Sequence, residues 1–181
     1  MKIDFTDIKG LAVITPQIFA DERGYFLETY HHEKLRQLIY PLEFVQDNES
    51  SSTIHTLRGL HFQIPPFAQG KLVRVIRGKA LDVAVDLRKS SPTYGQYFSI
   101  WLDDISKQQL WIPPGFAHGF LAADEGTLFA YKCTAYYQRD AERCIRWNDT
   151  NLSIDWGVDN PLVSIKDNQG MDFKMFDSPF I

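Results

Sequence analysis

The clearest hydropathy pattern in this chain has a period of two. Leu81, Val83, Val85 and Leu87 alternate with Asp82, Ala84, Asp86 and Arg88, which predicts a half-buried strand with one apolar and one polar face. Just upstream, Val73-Arg74-Val75-Ile76-Arg77 predicts a partner strand that turns at Gly78-Lys79. Further short strands are predicted at Leu11–Ile14, Gly24–Tyr30, Leu57–Gln63, Tyr97–Leu102, Gln109–Ile112, Thr127–Tyr137 and Ile145–Trp147. Turn residues separate them: Pro16, Gly24, Pro65-Pro66, Gly70, Pro92, Gly95, Pro113-Pro114-Gly115 and Gly126. Only Glu33–Ile39 reads as a helix. Many short strands with so little helix predict an all-β chain, an antiparallel sandwich or barrel of the jelly-roll type. The mouth of such a barrel favours a ligand pocket.

Composition adds exclusions. The chain has 181 residues, 44% of them hydrophobic, so a core is expected, disorder is excluded, and residues 1–181 are expected to form one domain. Its 19 Lys+Arg against 23 Asp+Glu give a net charge of −4, which leaves no basic field for a nucleic acid. A few arginines in one cleft would still hold a small phosphate ligand. Runs such as Leu11 to Ile14 and Phe120 to Ala123 are far too short to cross a membrane. The segment Met1-Lys2-Ile3-Asp4-Phe5 lacks the apolar stretch of a secretory signal, so a cytoplasmic address is expected. Cys133 and Cys144 make neither a disulfide framework nor a CxxC motif. Aromatics reach 14%; many must line the core, but those beside Gly, Pro and Arg also suit a pocket wall.

Several segments carry groups that a core disfavours. In Leu57-Arg58-Gly59-Leu60-His61-Phe62-Gln63, strand alternation puts His61 on a face with Gly59 and Gln63, and Arg58 on the other. His61 therefore suits a cavity, or is a satisfied core histidine. Lys71 is in phase with Val73 and Val75; facing inward it is costly unless used, and the alternative is an edge lysine guarding the strand start. Pro113-Pro114-Gly115 delivers His118 at a loop-to-strand junction, for chemistry or to cap the turn. Tyr131 is a site phenol or a core tyrosine, and Asp167 either orients a histidine or lies alone on the surface.

The spacing from Pro113 through Gly115 to His118 is that of the second cupin motif. The first would need His-x-His and a glutamate, whereas here the segment reads His61-Phe62-Gln63. A cupin barrel without a catalytic metal is therefore expected. No Gly-x-Gly-x-x-Gly run or P-loop is present, which fits chemistry that needs no redox cofactor.

Taken together, Asp21-Glu22-Arg23-Gly24-Tyr25-Phe26, Gln46-Asp47-Asn48, the His61 segment, Gln69-Gly70-Lys71, Asp82 to Arg88, Ser91-Pro92-Thr93-Tyr94-Gly95, Pro113 to Phe120, Tyr131-Lys132, Trp147-Asn148-Asp149 and Ser164-Ile165-Lys166-Asp167 stand in one family's order. The chain resembles the dTDP-4-dehydrorhamnose 3,5-epimerases, metal-free cupin enzymes of dTDP-L-rhamnose synthesis, from about Ile3 to Asp167. It departs at Glu49 to Thr56, which puts Glu49 and His55 beside the expected pocket, and in the tail after Asp167.

The resemblance implies a dTDP-4-keto-6-deoxyhexose substrate whose C3 and C5 hydrogens are both acidified by the C4 carbonyl. It implies His61 as base with Asp167 holding the imidazole, Lys71 at the developing oxyanion, Tyr131 as opposite-face acid, and His118 near the carbonyl as a second donor or as support for the site. For the nucleotide it implies Arg58 and Arg23 on phosphate, Gln46 and Asn48 as hydrogen-bonding groups, Glu28 on the thymine edge, and Phe26 and Tyr136 over the base. It also implies a homodimer in which the segment from Arg23 to Glu28 is exchanged between subunits. Three rival readings stand beside it: a single-centre epimerase, a cupin that binds without turnover, and a metal-dependent cupin.

Overall fold

The computed structural model describes residues 1–36 and 43–181. Its first strands are β1 (Lys2–Phe5), β2 (Ala12–Thr15), β3 (Ile18–Asp21), β4 (Gly24–Leu27), β5 (Gln46–Ser52), β6 (Thr56–Gln63) and β7 (Lys71–Arg77). There follow β8 (Lys79–Asp86), β9 (Tyr97–Asp103), β10 (Gln109–Ile112), β11 (Phe116–Ala122), β12 (Thr127–Cys133), β13 (Glu142–Cys144) and β14 (Leu162–Val163). Helix α1 (His32–Arg36) lies between β4 and β5, and α2 (Ile165–Asn168) follows β14.

One sheet has the order β1-β2-β10-β7-β12-β5 and the second β13-β6-β11-β8-β9, with β14 on the edge of β6. Strands distant in sequence pair within each sheet, and the two sheets face each other as a jelly roll of the cupin type. Val73, Leu110 and Phe129 of the first sheet meet Ala84, Phe116 and Phe120 of the second in the interior. The rings of Phe120 and Phe129 stack with centroids 4.0 Å apart, and burying each such side chain contributes about 1.5–3 kcal/mol.

The second sheet is covered twice. Its outer face, with Phe62, Leu81, Val83 and Val85, packs under Ile145, Trp156, Phe176 and Phe180. Strand β8 is therefore buried from Ala80 through Asp86 and is not half-buried as its alternation predicts. Polar residues in it face the protein, where they must find partners. Asp86 finds Arg88, Ser91 and Thr93 as hydrogen-bond donors.

Other differences have local causes. Strand β5 is polar throughout, Gln-Asp-Asn-Glu-Ser-Ser-Ser, and carries no hydropathy signal, yet it pairs along its full length with β12. The strand expected at Ile145–Trp147 lies earlier, as β13, and Ile145 makes one isolated bridge to Met171. The strands expected at Gly24–Tyr30 and Thr127–Tyr137 end at Leu27 and Cys133. The helix expected at Glu33–Ile39 forms over His32–Arg36; its final three positions lie outside the described residues.

Candidate active site

A cleft of about 450 Å³ opens between the sheets, and its walls include Ser50, Arg58, His61, Lys71, His118, Tyr131, Lys166 and Asp167. His61 of β6 stands opposite His118 of β11, while Arg58 stands opposite Phe120. Three steps along β6 thus match two along β11, which is a bulge. The extra residue resets the phase, so Arg58 and His61, expected on opposite faces, both reach the cleft. Gly59 makes this possible: its φ is +140°, and a Cβ there would lie 2.5 Å from the Gly119 Cα.

His61 Nε2–H donates to Asp167 Oδ1 at 2.7 Å. The second oxygen, Oδ2, accepts the Gly59 N–H at 3.2 Å. Asp167 lies on α2, and its own N–H donates to Ser164 Oγ, which caps that turn. Burial alone would raise this carboxyl, but His61, Gly59 and Ser164 outweigh it and hold Asp167 below the usual carboxylate value. The ionised carboxylate keeps a proton on Nε2 and leaves Nδ1 as the basic ring nitrogen.

A second imidazole–carboxylate pair was not legible as such. His118 Nε2–H donates to Asp82 Oδ2 at 2.8 Å. The histidine is buried and its pKa is lowered, because burial outweighs the attraction of Asp82. Asp82 looked like one of several polar positions on a half-buried strand; the available signal was a carboxylate centred in an apolar run. Its Oδ1 and the Ser50 hydroxyl are buried and have no hydrogen-bond partner among the described residues.

Lys71 and Tyr131 come from the facing sheet. Lys71 is 8% exposed, burial lowers its pKa, and its Nζ lies 5.8 Å from the Tyr131 ring centroid. Tyr131 is shifted upward, chiefly by burial, so its hydroxyl stays protonated. Cys144 stands directly across from His61 in β13; burial and the nearby Asp167 carboxylate push its thiol up to about 12.

The remaining predicted residues are dispersed. Arg58 donates to Ser52 Oγ and Ser51 O at 3.1 Å each, at the cleft wall. Gln46 donates to Asn48, whose own amide donates to Cys133 Sγ; these two and the exposed Tyr136 are not part of the cleft lining. Glu49 lies in a neighbouring groove with Arg74 and Lys132, and His55 is an exposed turn residue with φ +62°; neither lines the cleft itself, although their chain neighbours Ser50 and Thr56 do. Arg23, Phe26 and Glu28 are also outside it. Arg23 pairs with Asp21, and Glu28 with Lys34.

A cleft with two imidazole–carboxylate pairs on one wall, and a buried amine and a phenol on the other, has the groups that proton-transfer chemistry requires. Residues 5–175 match the family model for dTDP-4-dehydrorhamnose 3,5-epimerase. The dTDP-4-dehydrorhamnose 3,5-epimerase of Shigella flexneri is 46% identical over 174 residues, 96% of each chain. The crystal structure of a Legionella pneumophila dTDP-6-deoxy-D-glucose-3,5-epimerase in complex with dTDP-4-keto-L-rhamnose superimposes with a TM-score of 0.93 at 43% identity. The match covers 97% of this chain and 94% of that one. A dTDP-4-dehydrorhamnose 3-epimerase from Streptomyces niveus is 37% identical, over 94% of this chain and 83% of its own. The chain belongs to the dTDP-4-dehydrorhamnose 3,5-epimerase family, and its class is that of the sugar isomerases.

Proposed function

We propose that this protein inverts C3 and C5 of dTDP-4-dehydro-6-deoxy-D-glucose, giving dTDP-4-dehydro-L-rhamnose. The observation that carries the reading is the division of groups between facing walls, His61 and His118 on one sheet, Lys71 and Tyr131 on the other. Nδ1 of His61 takes the proton alpha to the carbonyl, and Asp167 stabilises the imidazolium. The electron pair moves onto the C4 oxygen, where Lys71 donates a hydrogen bond; such a donor is typically worth about 2.7–4 kcal/mol. Tyr131 delivers a proton to the opposite face, which inverts the centre. His118 supports the carbonyl side, with Asp82 fixing its tautomer. No electrons leave the substrate in this sequence, so the chemistry calls for no redox partner.

In the same reading the nucleotide lies along Arg58, Gln46, Asn48 and Tyr136, and its site is completed by a second copy of the chain. Strands β3 and β4 pair with each other and, among the described residues, with no other strand. Phe19 is 54% exposed and Phe26 69% exposed, an apolar arm that gains by burial against another molecule. Seated on a second copy, the arm would bring Arg23, Phe26 and Glu28 to that copy's cleft. The 181 residues would act as one catalytic domain, in the cytoplasm.

The test is incubation with dTDP-4-dehydro-6-deoxy-D-glucose in deuterated water, trapping the product by reduction of the C4 ketone. Deuterium at both C3 and C5 with an L-rhamno product is expected. Deuterium at one carbon alone would make the protein a single-centre epimerase, and none would remove it from this chemistry.

A further inference from the structure

Beside the His61–Asp167 pair stands a thiol, Cys144, that the proposed reaction does not use. Strand β13 runs antiparallel to β6 with Cys144 directly opposite His61, so thiol and imidazole rise from the same face of the sheet. Asp167 reaches them from α2. One ring nitrogen of His61, Sγ of Cys144 and one carboxylate oxygen of Asp167 lie within 4.8 Å of one another. We propose that these three side chains form a site for a thiophilic divalent cation such as zinc, and that filling it stops epimerisation.

One nitrogen, one sulfur and one oxygen suit zinc, whereas magnesium and calcium seek oxygen shells. With Zn–S near 2.3 Å and Zn–N or Zn–O near 2.0–2.2 Å, tetrahedral donors stand about 3.3–3.8 Å apart. The His61–Asp167 contact opens from 2.7 Å to meet that spacing, and the thiol, within 4.8 Å of both partners, lies in reach of the same cation. The thiol donates to Ile145 O at 3.5 Å, and a thiol is a weak hydrogen-bond donor that gives up such a contact readily. The His61 side chain is 29% exposed, so the cation has a way in from the cleft, and a fourth position remains for water.

The protons balance. The Cys144 thiol gives its proton to solvent and binds as thiolate. A cation held by Asp167 takes Nε2, the nitrogen facing that carboxylate, and the Nε2 proton reappears on Nδ1. The imidazole stays neutral, but its basic nitrogen is capped and its carboxylate is engaged elsewhere. Inhibition rests on His61 being the base; binding does not.

Zinc chloride is titrated against turnover of wild type, Cys144→Ala and Cys133→Ala, with EDTA added at the end. In parallel, cobalt chloride is titrated into substrate-free protein and the thiolate-to-cobalt charge-transfer absorption is followed. Wild type and Cys133→Ala should lose turnover reversibly and show the band. Cys144→Ala should need at least about tenfold more zinc and show no band; should it not fold, Cys144→Ser serves in its place. Equal zinc sensitivity in wild type and Cys144→Ala, a bandless wild type, or a band lost only in Cys133→Ala would each overturn the proposal. A band with undiminished turnover would uphold the site and count instead against His61 as the base.

Discussion

His61 and His118 are both hydrogen-bonded to a carboxylate, yet their surroundings suit them to different work. His61 is partly exposed in the cleft, whereas His118 and Asp82 are buried. In the proposed reaction His61→Asn should lower turnover by about 10²–10⁴ with dTDP binding retained, read by calorimetry beside the rate assay. Tyr131→Phe should separate two signals: solvent deuterium exchange persists because the enolate still forms, while inversion collapses. Parallel losses in exchange and inversion would take Tyr131 out of the mechanism. His118 makes a prediction about stability. A free imidazole titrates near about 6.5, and burial holds the folded value below that. Below about pH 6.5 the unfolded chain takes up a proton that the folded chain refuses, so this group's contribution is complete above that pH and drains away as pH falls through the folded pKa. The melting temperature should therefore fall on acidification across this window, and less steeply in His118→Gln. A melting temperature that rises instead would mean that His118 is charged against Asp82 in the fold.

Among the elements, the bulged β6 does most to assemble the cleft. Gly59→Ala places a methyl 2.5 Å from the Gly119 Cα at a φ of +140°, and should destabilise the fold by about 2–4 kcal/mol in urea unfolding. Turnover should drop further than stability accounts for, since the Arg58–His61 phase goes with the bulge. Alternation exposed β7 and β10 in the sequence because their apolar residues recur in strand fashion, whereas β11 was expected only as a loop-to-strand junction at His118. It misjudged β8, since the cover on the sheet's outer face comes from residues 145–180, far away in the chain. Asp82 and Asp86 looked equivalent there, yet one holds a cleft histidine and the other ties down a turn. Polar β5 gave no periodic signal because its place in the sheet is fixed by backbone pairing to β12. The cleft itself was largely legible: His61, Lys71, His118, Tyr131, Asp167 and Arg58 all line it. Asp82 and Cys144 were missed because their importance depends on cross-strand neighbours.

For the whole molecule, the exchanged-arm reading makes a mixing experiment decisive. His61→Asn and Arg23→Ala proteins, each impaired alone, are unfolded together and refolded as a mixture. If arms swap, each mixed dimer contains one cleft with both His61 and Arg23 intact, and about a quarter of the wild-type rate returns. Arms that fold back on their own cleft would restore nothing. Serine at Phe19 and Phe26 should shift the protein toward monomer in sedimentation, because the arm then loses its reason to dock. The cover over the second sheet has its own consequence for how the protein is made. The ribosome releases the strands before the segment bearing Trp156, Asp167, Phe176 and Phe180, so a nascent chain carries an uncovered apolar sheet until late in synthesis. Asp167 arrives with that same cover, and the growing polypeptide therefore acquires its orienting carboxylate and its protection from aggregation in one step.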